Sequence, residues 1–296
     1  MRLRRTTVGP VLERDGEIIV LDDEWDDLFR LDDIAAHLAD ARGARSRSSA
    51  HTLAPVGRQE VWAAGITYYA SRDARMEESE SAGGADVYQR CYDAERPELF
   101  LKATPHRVVG PGQPVRIRRD SHWNVPEPEL TLAISSAGKV FGYTIGNDMS
   151  SRDIEGANPL YLPQAKVYDG CAALGPAIVI TDTPPAGDCS IALLIERDGA
   201  EVFAGATTVS RIRRTFAELV EYLHRDSTFP DGCFLLTGTG VVPPSDFTLD
   251  VGDVITITID GIGSLTNPVA MGGRRPAVVR PGGLRVGNGA RSRPDS

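Results

Sequence analysis

The chain is short of cysteine, of long apolar runs and of positive charge, and each shortage removes a class of function. Its 296 residues include four cysteines (Cys91, Cys171, Cys189, Cys233), all far apart and without a Cys-x-x-Cys pair. That spacing speaks against a structural zinc site or a disulfide scaffold and fits reduced thiols in cytosol. The longest apolar run, Cys171 to Ile180, is broken by Gly175-Pro176 and falls short of the ~20 residues that span a bilayer. No apolar signal-peptide core follows the basic start, Met1 to Thr7. Lys and Arg number 32 against 41 Asp and Glu, a formal charge of −9, so the footprint of a phosphate-backbone binder is missing. The expectation is a soluble, cytoplasmic, acidic globular protein with neither nucleic acid nor membrane as partner.

What is present supports a folded domain with a recessed site. Apolar residues make up 41% of the chain, and a chain of this length buries roughly three-quarters of its unfolded surface. Val8 to Leu21 reads as a hairpin turning at Asp15-Gly16. Asp32 and Asp33 precede a short helix over Ile34 to Leu38. Gly43 to Ser49 is small and polar, and reads as a linker. These features predict a small N-terminal domain over 1–57, a larger domain over 58–280 and a tail over 281–296. In the larger part, strands are predicted over Val61 to Thr67, Leu99 to Lys102 and Val254 to Ile259. Leu130 to Ile134 and Val140 to Ile145 form a hairpin at Ala137-Gly138, and Ile191 to Ala204 another at Asp198-Gly199. Asn158 to Gly170 reads as a Pro- and Gly-interrupted loop. One amphipathic helix stands out, Thr215 to Arg225, with Phe216, Leu219, Val220 and Leu223 on one face. Strands outnumber helices without alternating with them, so the class is a strand-dominated α+β fold.

Glu127 and Glu129 stand at the start of the strand Leu130 to Ile134, on one face of an extended chain and roughly 6.5–7 Å apart. With Ala137-Gly138 as a two-residue loop, Asp148 lies opposite Glu127. A slip of the loop to Gly138-Lys139 sets Asp148 opposite Glu129 and keeps it on the same face. Three converging carboxylates repel unless a cation sits among them. Hard oxygen ligands without His or Cys suit Mg2+, with Mn2+ or Ca2+ as alternatives. Three solvated acids would look the same, and spacing alone leaves both readings open.

The segment Pro126-Glu-Pro-Glu-Leu130, followed by Gly146-Asn-Asp-Met-Ser-Ser-Arg-Asp153, resembles the fumarylacetoacetate hydrolase family. Gln164-Ala-Lys166 and Gly261 to Val269 extend the resemblance, which spans about Val61 to Ala270. It implies a mixed β-roll with a small N-terminal domain, usually a homodimer or homotetramer, and a divalent ion held by Glu127, Glu129 and Asp148. Within the family, the stretches Ser71 to Ser79, Arg96 to Phe100 and Ile154 to Gln164 are similar to the branch that dehydrates 2-keto-3-deoxy-D-arabinonate. That likeness implies a Mg2+-dependent dehydratase of a 2-keto-3-deoxy sugar acid in pentose catabolism, forming 2,5-dioxopentanoate. It places a catalytic Glu at Glu98 and a catalytic Lys at Lys166.

The chain departs from the family at one point. Its carbon–carbon hydrolases carry His and Glu where this sequence has Ser71 and Ala74, and none of the five histidines (His37, His51, His106, His122, His224) falls in that motif. Acylpyruvate-type hydrolysis or oxaloacetate-type decarboxylation is the alternative activity, and a non-catalytic metal-binding protein a further one. For dehydration, Glu98 suits proton transfer at C3 and Lys166 offsets developing negative charge. Arg152 is a candidate for binding the 2-oxo acid substrate, with Arg72 and Arg75 as further candidates. Ser264 and Thr266, in the glycine-rich Gly261 to Thr266, offer hydroxyls to a substrate carboxylate. Glu77 to Ala85 has the composition of a mobile lid.

Overall fold

The computed structural model describes residues 1–45, 50–68 and 92–273. The predicted lid, Arg72, Arg75, Ser71, Ala74, Cys91 and the 281–296 tail lie outside these residues. Among the described residues the chain forms β1 (Arg2–Thr6), β2 (Gly9–Arg14), β3 (Glu17–Val20), α1 (Trp25–Leu28), α2 (Ile34–Asp40), β4 (Ala44–Arg45) and β5 (Glu60–Gly65). Next come β6 (Glu98–Ala103), β7 (Val108–Val109), β8 (Val115–Ile117), β9 (Asn124–Val125), β10 (Pro128–Ile134), β11 (Val140–Asp148) and β12 (Ser150–Ser151). Two short helices, α3 (Arg152–Ala157) and α4 (Leu162–Lys166), lead to β13 (Ala172–Ile180). The remainder is β14 (Ser190–Arg197), β15 (Ala200–Thr208), α5 (Phe216–His224), β16 (Cys233–Leu236), β17 (Val254–Ile259) and β18 (Gly263–Met271).

Two sheets organise the molecule. An eleven-stranded sheet runs β4-β3-β2-β1-β13-β11-β10-β16-β5-β6, with β7 beside β13, and a five-stranded sheet runs β15-β14-β17-β18-β8. Leu130, Leu132 and Ile145 of the large sheet meet Ile191, Leu193, Ile257 and Leu265 of the small one in a shared apolar core. A second core on the other face of the large sheet joins Leu3, Leu12, Phe29 and Leu38 to Phe141, Ile178 and Phe234. Through the β1–β13 pairing, Leu3 opposite Ile178, strands of segment 1–57 continue the same sheet as segment 58–280. No described helix is long and apolar enough to cross a membrane.

Local chemistry explains most of these elements. Asp15 and Asp198 adopt φ of 51° and 52°, followed by Gly16 and Gly199 at 79° and 78°, the paired left-handed conformations of a tight hairpin turn. Asp33 caps α2 by accepting from Ala36 N–H at 2.9 Å, and Thr215 caps α5 from Glu218 N–H at 3.2 Å. The apolar run at 171–180 is neither loop nor membrane segment but the central strand β13. Its Pro176 is accommodated where the β11–β13 register shifts between Tyr143 and Ile145.

The β10–β11 hairpin closes differently from expectation and arrives at the same pairing. Its loop has three residues, with Gly138 at φ 75° donating to Ser135 O and Ser135 N–H donating to Lys139 O, both at 2.9 Å. A bulge then leaves one extra residue, since Ile134 pairs with Val140 but Ala133 with Gly142. The two offsets cancel. From Ala133 downward the register is that of the two-residue loop, Pro128 pairs with Asn147, and Asp148 N–H donates to Glu127 O at 3.0 Å.

Candidate active site

The hairpin delivers three acids to one place. Oxygen atoms of Glu127, Glu129 and Asp148 all lie within 4.8 Å of one another, and each side chain is buried. They line a small cavity together with Glu98, Glu155 and Lys166. The structure thus brings together five of the residues singled out in the sequence. Glu98 opens β6, opposite Gly65 at the end of β5. Lys166 is not in a loop as expected. It ends α4, whose start is set by Pro163 in the first turn, where a missing N–H costs nothing.

Three cations answer the three acids. The Lys166 ammonium donates to Glu127 Oε2 at 2.7 Å, Asp148 Oδ2 at 3.1 Å and Ser150 Oγ at 2.6 Å. The Arg152 guanidinium donates to Glu127 Oε1 at 2.6 Å from within α3. It is buried and holds an acid from behind, and is absent from the residues lining the cavity. Lys102, on β6, puts its Nζ 2.5 Å from Asp148 Oδ1 and donates to Met149 O at 2.8 Å and to Lys166 O. Glu129 accepts from Gly238 N–H at 2.5 Å. Gly238 has φ 92°, and a Cβ there would meet Thr67 Oγ1 at 2.0 Å, so this turn requires glycine.

Burial, then the charges of Asp148 and Glu127, push the Glu129 carboxyl well above the usual carboxylate range, against the pull of Lys166 and the Gly238 N–H. A divalent cation relieves that repulsion. The donor set, three buried carboxylates with no His or Cys among them, suits a hard ion such as Mg2+. Asp148 Oδ1 makes an ion contact with Lys102 but no aligned hydrogen bond, which leaves it lone-pair capacity for a metal. The site fits the ion.

Ser264 and Thr266 are elsewhere. Both lie exposed on β18, where Ser264 Oγ meets Thr258 Oγ1 at 2.8 Å and Thr266 Oγ1 meets Thr256 Oγ1 at 3.0 Å, cross-strand pairs on the small sheet. Neither lines the cavity with the acids, and none of the five histidines does. Glu155, Lys102, Ser150 and the Gly238 amide are the members that the sequence reading left out. Glu155 carried a visible signal, one helical turn after Arg152 in Arg152-Asp-Ile-Glu155, and Gly238 sits in Thr237-Gly-Thr-Gly240 after a strand. Lys102 carried none.

Similarity to known proteins agrees with this geometry. The chain is 49% identical over 220 residues to a probable 2-keto-3-deoxyxylonate dehydratase of Haloferax volcanii, covering 74% of this chain and 75% of that protein. It is 46% identical over 219 residues to the 2-dehydro-3-deoxy-D-arabinonate dehydratase of Saccharolobus solfataricus, covering 73% of each. The solved structure of a 2-keto-3-deoxy-D-arabinonate dehydratase complexed with magnesium and 2,5-dioxopentanoate superposes with a TM-score of 0.79 at 36% identity, over 93% of this chain and 100% of that one. Residues 74–270 match the fumarylacetoacetate hydrolase C-terminal family, and the chain belongs to it.

Proposed function

We propose that the protein is a Mg2+-dependent dehydratase of 2-keto-3-deoxy pentonates, forming 2,5-dioxopentanoate. One observation carries the reading: Glu98 and Lys166 line the same cavity as the three-acid cluster, and among the described residues no histidine lines it. Glu127, Glu129 and Asp148 would hold the ion, Mg2+ with Mn2+ or Ca2+ as alternatives. Bound there, it supplies Lewis-acid polarisation of a 2-oxo acid, which acidifies the C3 protons.

Glu98 then removes a proton from C3, and the electron pair passes to the C2 carbonyl. Lys166, the one ammonium among the described residues lining the cavity, offsets the charge that develops on that oxygen. As the pair returns, the C4 hydroxyl leaves, and Glu98 gives it the proton it took, so water departs. Transfer of a proton from C5 to C3 through the conjugated system leaves an enol across C4 and C5, and passage of its hydroxyl proton to C4 gives the aldehyde at C5. Arg152 fixes Glu127 through their 2.6 Å contact; we assign it a supporting role rather than substrate binding. Cleavage of an acylpyruvate would need a base to activate water, which Ser71 and Ala74 do not supply.

The family resemblance also leads us to propose a homodimer or homotetramer. Burial of the described free cysteines, Cys171, Cys189 and Cys233, supports a reducing, cytoplasmic setting. The test of function is product formation from 2-keto-3-deoxy-D-arabinonate and -xylonate, followed by NMR. A 2,5-dioxopentanoate signal should appear with Mg2+ and vanish with excess EDTA. No product from either sugar acid, with the ion bound, overturns the reading.

A further inference from the structure

Lys102 is fully buried, yet none of the chemistry above uses it. Its three protons face three acceptors in two different chain segments. Met149 O at 2.8 Å and Asp148 Oδ1 at 2.5 Å lie at the end of β11, and Lys166 O closes α4. Burying an ammonium is costly unless it is hydrogen-bonded and paired, and here two protons go to main-chain carbonyls while the Asp148 carboxylate supplies the opposite charge. The aromatic face of Tyr168, 5.8 Å from Nζ to ring centroid, completes the enclosure.

The two lysines at Asp148 differ in what holds them. Lys166 Nζ rests on side-chain oxygens of Glu127, Asp148 and Ser150, two of which belong to the acids that would take the ion. Lys102 Nζ rests on two main-chain carbonyls besides Asp148, so it stays where the backbone puts it. Glu98 and Phe100 alternate onto one face of β6, and Lys102 follows them at a bulge, unpaired between Leu101 and Ala103. The first of them lines the cavity, the Phe100 ring centroid lies 5.9 Å from Lys166 Nζ, and the third grips the Lys166 carbonyl.

We infer that Lys102 is a positioning residue that fixes Asp148 through Oδ1 and Lys166 through its main-chain carbonyl. It thereby sets the geometry of the ion site from behind. The inference rests on the metal-site reading above, but not on the identity of the substrate. A ligating carboxylate is held in its productive orientation by the groups bonded around it, and loss of such a partner costs about 10–100-fold in metal affinity or activity.

The experiment titrates Mn2+ into the full-length wild type and Lys102→Met, reading free ion by EPR, with thermal melting as a check on folding. Lys102→Met should bind Mn2+ about 10–100-fold more weakly. A control, Leu38→Ala in the second apolar core, should lower Tm and leave Mn2+ affinity at the wild-type value. Should Lys102→Met fail to fold, Lys102→Gln, which keeps two N–H donors and drops the charge, carries the same measurement. Wild-type Mn2+ affinity in the folded Lys102 variant overturns the inference, as does equal weakening in Leu38→Ala. Because no sugar acid enters this titration, a protein that fails to dehydrate pentonates but passes it refutes the proposed activity and leaves the role of Lys102 standing.

Discussion

Gly65 and Glu98 face one another across the end of the β5–β6 pair, and the Glu98 carboxylate occupies the space a side chain at Gly65 would need. A Cβ at Gly65 would stand 2.0 Å from Glu98 Oε2. The carboxylate proposed for proton transfer is thus seated by the absence of a methyl group on the neighbouring strand. Gly65→Ala should move the carboxylate off its station and lower kcat by roughly 10²-fold, the scale of a 1 Å misplacement. Mn2+ affinity should change little, and steady-state kinetics beside a Mn2+ titration check both.

Removing the proposed proton carrier without moving it gives a companion result. Glu98→Gln should lower kcat by about 10²–10⁴-fold, the usual contribution of general acid–base catalysis. Ion binding should stay near wild type, because Glu98 is not one of the three converging acids. A wild-type kcat would remove Glu98 from the chemistry.

Asp148→Asn keeps the shape and removes a charge at the centre of the acid cluster. Divalent-ion binding and activity should both fall at limiting Mg2+, while the circular dichroism spectrum stays that of the wild type. Unchanged activity under limiting Mg2+ would contradict the assignment of the ion site.

The raised Glu129 carboxyl makes ion binding depend on pH. In the ion-free protein Glu129 holds its proton more tightly folded than unfolded, because burial and the Asp148 and Glu127 charges oppose its ionisation. The stability this group contributes is complete below the unfolded carboxylate value, about 4.3, and is lost as pH rises from there through the folded value. Binding an ion displaces that proton, so the gain in Tm on adding Mg2+ should grow with pH. Calorimetry in buffers of different ionisation enthalpy should show proton release on binding. A gain in Tm that is flat with pH and no proton release would contradict this.

Hairpin arithmetic made the acid site legible in the sequence, for a reason that extends beyond the turn. The pairing of Glu127 with Asp148 depends on the parity of the loop and any bulge taken together. The three-residue turn at Gly138 and the extra residue before Gly142 restore what each alone would break. Register is also pinned by burial of every residue of β10, so a slip would put apolar side chains where the acids stand.

Other residues were illegible for equally physical reasons. Lys102 looks like any strand lysine, since its partners lie 46 or more positions along the chain and nothing local marks a buried charge. Pro163 read as a turn, although proline in the first turn of a short helix is as compatible with it. The glycines at 261 and 263 do mark a special backbone, with φ of 74° and 124°. They shape the β17–β18 turn, however, and Ser264 and Thr266 spend their hydroxyls on neighbouring strands. Strand β1 and its pairing with β13 were hidden in an N-terminus that composition marked only as basic.

The most direct test offers the purified protein two substrates in parallel, a 2-keto-3-deoxy pentonate and an acylpyruvate, at equal concentration with saturating Mg2+. Dehydration should dominate, with a rate sensitive to deuterium at C3 where proton removal limits turnover, and acylpyruvate cleavage should be negligible beside it. Acylpyruvate cleavage faster than pentonate dehydration by orders of magnitude would contradict the account and require a water-activating base that Glu98 and Lys166 do not provide.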